Sequence, residues 1–140
     1  NGARHEHITR TIRPALARGD WVLCDRFADS TRVYQGFGLG VPEADVDALE
    51  RMVVGRTIPD LTLILDVPVD VGLERAQGRG THADRYEGMD LAFHERLREG
   101  YLALARRAPE RCAVVDADRG AQEVQADVRR LVRERLGIAL

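Results

Sequence analysis

Apolar residues recur every three to four positions near the start of the chain, at Ile8, Ile12, Ala15 and Leu16, which predicts a helix ending at Arg18, with Gly19 as its cap. Pro14 falls inside that span. It predicts a kink or a tightened last turn, because its nitrogen cannot donate and its ring crowds the preceding turn. The pattern then becomes a continuous apolar run, Trp21-Val22-Leu23-Cys24, closed by Asp25-Arg26. That is the form of a strand buried on both faces with polar residues at its carboxyl end, where ligand crevices lie in open parallel sheets. Gly36, Gly38 and Gly40 predict a loop, with residues 30–35 able to wind into a helical turn. From Pro42 a second helix is expected, with Val46, Leu49, Met52 and Val53 on its apolar face and Gly55 as its stop.

Leu61-Thr62-Leu63-Ile64-Leu65-Asp66-Val67 is the clearest strand, and its unbroken apolar character predicts a central place in the sheet. Val71, Leu73 and Ala76 then mark a short helix, and Phe93, Leu97, Tyr101 and Leu104 a longer one. Cys112-Ala113-Val114-Val115-Asp116 reads as a third strand, and Val124, Val128, Leu131 and Val132 as a terminal helix. Short apolar strands alternating with helices imply an α/β fold, a parallel sheet covered on both sides. At 140 residues a single domain spanning 1–140 is the expectation.

Charge and composition narrow the function. The formal net charge is -2, with acidic residues interleaved among the basic ones, so neither a nucleic-acid polymer nor a membrane surface finds a broad basic face. No apolar stretch reaches the roughly 18 residues of a membrane span, and the polar opening is unlike a signal peptide, which predicts a cytoplasmic protein. Cys24 and Cys112 lie in separate apolar runs without metal-binding or redox spacing, and read as buried thiols. All 21 basic residues are arginine. Any chemistry that needs a lysine ammonium is therefore outside these 140 residues.

The candidate chemistry begins at Asp25-Arg26. A carboxylate at a strand end can hold a magnesium shell, directly or through water, beside a guanidinium that grips phosphate with two prongs. An isolated Asp-Arg pair is more often a surface ion pair or a loop cap. Its surroundings are more specific. Asp25, Arg26, Ser30, Tyr34, Gln35 and Gly36 stand at the positions of the DR(Y/H)xxSxxAYQG stretch of bacterial thymidylate kinases, which this segment resembles. Upstream, Ala3-Arg4, Pro14-Ala15-Leu16 and Gly19-Asp20-Trp21-Val22 resemble the passage that precedes it in that family. Downstream, Pro59-Asp60-Leu61-Thr62-Leu63-Ile64-Leu65-Asp66-Val67 resembles PDLTLxLDV, and Gly72-Leu73-Glu74-Arg75-Ala76 resembles GLxRA. The likeness covers nearly the whole chain and is weakest after about residue 107.

The resemblance implies a P-loop kinase-like three-layer α/β/α fold and transfer of the ATP γ-phosphoryl group to thymidine monophosphate (dTMP), with Mg2+. It implies that Arg26 binds the acceptor phosphate, with Asp25 near the magnesium and the sugar. Arg4 would meet the thymine edge, Ser30 or Thr31 the ring nitrogen, Tyr34 the sugar, and Gln35 the base or the pocket wall. It also implies a lid over about residues 76–87 whose arginines close over ATP, with Arg79 the leading candidate and Arg75 and Arg85 behind it; phosphoryl transfer rewards cations brought in by closure. A homodimer is the family expectation. The bland alternatives are that Arg4 is a solvated helix residue, that Tyr34 and Phe27 are core aromatics, and that the lid arginines keep a loop soluble.

The GxxxxGK[ST] turn that cradles donor phosphates in such kinases occurs nowhere in the 140 residues. By resemblance it lies upstream of Asn1, with the first strand. The 140 residues alone are expected not to run the reaction. Two other readings stay open: a related kinase with a different nucleotide acceptor, and a non-catalytic interaction module or remnant.

Overall fold

In the computed structural model, which describes residues 2–78 and 88–138, the chain gathers into two units, Asn1–Pro59 and Asp60–Leu140. Each has a core of its own.

The first unit opens with three helical pieces in line: α1 (Gly2–His7), the π-helical stretch π1 (Ile8–Ile12) and α2 (Arg13–Ala17). The predicted helix is thus present, and Gly19 ends it at φ +82°. Pro14 acts on the turn before it. With no N–H to return to the carbonyl four residues back, the chain widens upstream into π geometry. Ile8 and Ile12 are buried against Ala28 and Val54, with Val22, Phe27 and Val53 packed around them.

Two of the elements expected in this unit are corrected. Trp21-Val22-Leu23-Cys24 makes no strand ladder: Val22 and Cys24 turn partly inward while Trp21 is 69% and Leu23 100% exposed. The two-residue alternation of extended chain is there, but a strand exists only through pairing, and no described strand lies in this unit to pair with it. The glycine-rich stretch is helical rather than a loop. α3 (Ala28–Thr31) runs into π2 (Arg32–Gly38), closed by a bond from the Leu39 N–H to the Tyr34 carbonyl at 3.0 Å, five residues back. Gly40, at φ +73°, ends it where a side chain would be strained.

α4 (Glu43–Val53) follows Pro42 as the pattern predicts, and Gly55 leaves it at φ +57°. Val46 and Val54 are buried, but Met52 is 80% exposed. At about 100° per residue Met52 lies some 120° off the direction of Val46, so it belongs to the outer surface.

In the second unit β1 (Thr62–Asp66) leads to α5 (Val69–Gly78), then α6 (Leu91–Arg107), β2 (Cys112–Asp116) and α7 (Ala121–Leu136). β1 and β2 pair in parallel with Thr62 opposite Cys112 and Asp66 opposite Asp116. Parallel neighbours need a crossover, and α5 and α6 belong to it. α6 starts at Asp90, whose carboxylate accepts the Phe93 N–H at 2.8 Å. It then buries Phe93, Leu97, Gly100, Leu104 and Ala105, and Leu104 and Ala105 pack with Ile64 and Cys112. Both strands of this unit are where the sequence puts them, yet among the described residues cover on the two sheet faces is incomplete. Leu65 is 55% and Val114 44% exposed, and among the described residues β1 has β2 as its only neighbour.

The carboxyl end of β1 is tied down. Arg98 of α6 donates through Nε and Nη2 to the two Asp66 oxygens at 2.7 and 2.9 Å. These hydrogen bonds hold the Asp66 carboxyl below its ordinary pKa, against the opposing effect of burial. A depressed carboxylate stabilises the fold above the unfolded pKa of about 3.9, and that contribution is lost as pH falls through the lower folded value. Arg98→Met is therefore expected to cost about 1–2 kcal/mol at pH 7, held to that range because Arg98 is partly solvated, and progressively less below pH 4. Urea unfolding of both proteins at pH 7 and pH 3 checks this; an equal loss at both would refute it.

Candidate functional site

The candidate residues of the first unit converge on the turn after Cys24. Arg26 has φ +60°, and among the described residues it is the sole non-glycine with positive φ. Such a conformation costs an L-residue of order 1 kcal/mol, and strain of this kind collects at functional sites. The turn is braced by the Cys24 thiol, which donates to the Arg26 carbonyl at 3.5 Å. Burial first, and then the neighbouring Asp25 carboxylate, push the Cys24 pKa up, against a smaller pull from Arg4, so the thiol keeps the proton it donates.

Two arginines lie over aromatic rings here. The Arg26 guanidinium sits 5.7 Å from the Tyr34 ring centre, and that of Arg4 5.9 Å from Phe27. Arg4 also donates through Nη1 to the Thr31 hydroxyl, joining α1 to α3 across 27 residues. Ser30 precedes Thr31, with its N–H on the Phe27 carbonyl at 3.2 Å. Tyr34 and Gln35 follow on π2 and are half-buried, and the Gln35 carbonyl accepts the Val41 N–H at 2.9 Å. A π turn shifts side chains out of ordinary helical phase, and such turns are frequent at functional sites. The structure thus brings Arg4 and Thr31 into direct contact, as it does Arg26 and Tyr34, with Asp25 exposed at the turn.

One participant was not anticipated from the sequence. Arg32, the first residue of π2, reaches α4 and meets Asp47 at 2.6 Å, Glu50 at 2.8 Å and Glu43 at 3.8 Å. Its side chain is 21% exposed. Burial opposes the charge, but the bonds to Asp47 and Glu50 prevail and raise its pKa further. A narrow cleft beside this clasp is lined by Arg4, Ala28, Thr31, Leu49 and Glu50 among others. The signal for Arg32 was legible: Glu43, Asp47 and Glu50 form an acidic stripe on the next predicted helix, which begins ten residues beyond that arginine.

Of the lid arginines, Arg75 is on α5 in the second unit. It donates to the Ala117 carbonyl at 2.8 Å and lies 3.6 Å from Asp118, beyond β2. Arg79 and Arg85 fall outside the described residues, as does most of the predicted lid. Among the described residues no group of three His, Cys, Asp or Glu side chains could hold a metal ion. A lone carboxylate such as Asp25 still suits magnesium, which keeps several waters and takes much of its coordination from substrate phosphates. No described helix is long and apolar enough to cross a membrane.

The fold sets the class first: a P-loop kinase-like α/β protein, matching the crystal structure of a thymidylate kinase from Ehrlichia chaffeensis with TM-score 0.70 and 31% identity over 92% of this chain and 58% of that one. The family model for thymidylate kinase matches residues 2–128, and the chain belongs to that family. It is 58% identical over 136 residues to the thymidylate kinase of Caulobacter vibrioides, covering 97% of this chain and 65% of that protein. Against the thymidylate kinase of Nitrobacter winogradskyi the identity is 54% over 128 residues, 90% of this chain and 56% of the relative. The chain thus spans somewhat over half the length of these curated relatives.

Proposed function

We propose that residues 1–140 carry the dTMP-accepting part of a thymidylate kinase, an enzyme that transfers the γ-phosphoryl group of ATP to dTMP to give dTDP. The observation that carries this reading is the union of Arg4 with Thr31 beside the strained turn that presents Asp25 and Arg26. A planar guanidinium already committed to a hydroxyl can offer its remaining N–H groups to a pyrimidine carbonyl oxygen, while Thr31 or Ser30 serves the ring nitrogen. Arg26 can grip the acceptor phosphate with two N–H groups, and Tyr34 beneath it walls the sugar, where a 2′-hydroxyl would be crowded.

Catalysis of this kind is positioning plus charge. Arg26 would orient the attacking phosphate oxygen and offset its charge, with the Asp25 carboxylate beside it at the same turn. Magnesium, bound with ATP, would be held on the protein side by Asp25 and would neutralise charge on the donor. Arg79, Arg85 and Arg75 remain the candidates for cations that close over ATP. With no GxxxxGK[ST] turn and no lysine in these residues, the donor-phosphate cradle is no part of what they supply. The reading extends to a single catalytic domain, a homodimer, and a cytoplasmic enzyme.

Calorimetric titration with dTMP, dUMP, dCMP, dGMP and AMP tests it. The chain is expected to bind dTMP at least tenfold more tightly than dCMP or AMP, because a site built to pair with a carbonyl and a ring N–H leaves its own groups unpaired on the wrong base. It is also expected to release no ADP from ATP and magnesium. Equal affinity across the panel, or preference for another acceptor, would overturn the roles of Arg4 and Tyr34.

A further inference from the structure

The clasp at Arg32 lies against the narrow cleft beside Arg4 and Thr31 without belonging to the residues proposed to meet the nucleotide. Glu50 is the link. It accepts from Arg32 at 2.8 Å and also lines the cleft that Arg4 and Thr31 line. Three carboxylates on one helical stripe, Glu43, Asp47 and Glu50, converge on this one guanidinium. Arg4, meanwhile, is held by one hydroxyl and one aromatic ring, both neutral. A guanidinium gains more from a charged acceptor than from a neutral one, so a Glu50 released from Arg32 would compete for Arg4.

We propose that Arg32 is a positioning residue for acceptor recognition: by occupying Glu50 it keeps that carboxylate's charge off Arg4. Arg4 is then left facing the nucleotide base. The inference rests on the reading of Arg4 and Thr31 as the base-binding pair and adds a layer that this reading does not contain. The arrangement resolves a conflict visible in the sequence, where a helix with an acidic stripe borders a site for a phosphorylated, negatively charged ligand. Arg32 neutralises that stripe at its inner edge.

The test is dTMP and dCMP titration of the full chain beside Arg32→Met, Arg32→Lys and the double variant Arg32→Met/Glu50→Gln, with the far-UV spectrum and melting temperature of each recorded. Arg32→Met is expected to bind dTMP about tenfold more weakly, the size of one charge-assisted hydrogen bond lost from recognition, and to discriminate less between dTMP and dCMP. In the double variant Glu50 is neutral, so affinity and discrimination should return to within about threefold of the parent. Arg32→Lys should fall between, since an ammonium can satisfy one carboxylate but does not reproduce the fork. If Arg32→Met misfolds, Arg32→Lys keeps the comparison.

Unchanged binding in a folded Arg32→Met would overturn the proposal. So would a double variant as weak as Arg32→Met with the parent's melting temperature, because that result would mean Glu50 does not compete for Arg4. A parent chain that binds no dTMP would fail differently, removing the acceptor reading and this inference with it.

Discussion

Replacing Arg26 by glycine is expected to make the protein more stable than replacing it by methionine, while both variants lose about a hundredfold in dTMP affinity. The affinity loss follows from removing a two-pronged, charge-assisted contact to phosphate; two such bonds at roughly 1.5 kcal/mol or more each give a factor of that order. The stability difference has another origin. At φ +60° an L-residue is strained by about 1–2 kcal/mol and glycine is not, so after about 0.5–1 kcal/mol for glycine's greater freedom in the unfolded chain, Arg26→Gly should exceed Arg26→Met by about 0.5 kcal/mol. Both variants lose the contact with the Tyr34 ring, so that contribution cancels in the comparison. Calorimetry for binding and urea unfolding for stability read the two effects separately. A residue kept in a conformation whose strain glycine relieves, and whose loss removes binding, is a functional one. If Arg26→Gly bound dTMP normally, the turn would be merely a turn.

The largest stability effect is expected at Phe93. Its ring is fully buried in the second unit, edge-on to His94 at 5.6 Å between ring centres, with the Arg96 guanidinium 5.8 Å from its own ring centre. Phe93→Ala should cost about 3–5 kcal/mol, the usual transfer loss plus an unfilled cavity, and Phe93→Leu no more than about half of that. Marginal stability of about 0.1 kcal/mol per residue makes the alanine change a large fraction of what holds an 81-residue unit folded. Far-UV circular dichroism during guanidinium unfolding should show the helical signal of α5, α6 and α7 failing at distinctly lower denaturant in Phe93→Ala. A shift smaller than that of Phe93→Leu would mean the neighbouring side chains collapse into the space.

The helices and both observed strands were legible because their apolar residues follow the period of the element. Phe93, Leu97 and Leu104 recur down one side of α6, and Cys112-Ala113-Val114-Val115 is too short and too apolar to be anything but a strand. What failed was what depends on neighbours. Trp21-Val22-Leu23-Cys24 has strand composition, but pairing is a property of two segments and cannot be read from one. Gly36 and Gly38 pointed to a loop on local preference, yet tertiary packing of Val33 and the clasp of Arg32 on α4 hold that stretch in π geometry. In the site, Arg4, Thr31, Arg26 and Tyr34 were legible as residue types at matching positions. Their mutual contacts were not, since nothing in the spacing joins residue 4 to residue 31. Arg32 was overlooked for the opposite reason: its partners lie on the next helix in an obvious stripe, but they carry no catalytic motif.

The π geometry of Arg32–Gly38 makes chain length there as consequential as side-chain identity. A π turn is an α-helix with one residue more than its bonding register needs, so deleting any one residue in the stretch lets it relax to ordinary helix. Every side chain on the near side of the deletion would then swing by about 100° relative to the far side. Thr31 and Tyr34 would no longer share a face with the turn they serve. A substitution at partly buried Phe37 can be absorbed by repacking, whereas a single-codon loss anywhere between Thr31 and Gly38 would change the direction in which half the site looks.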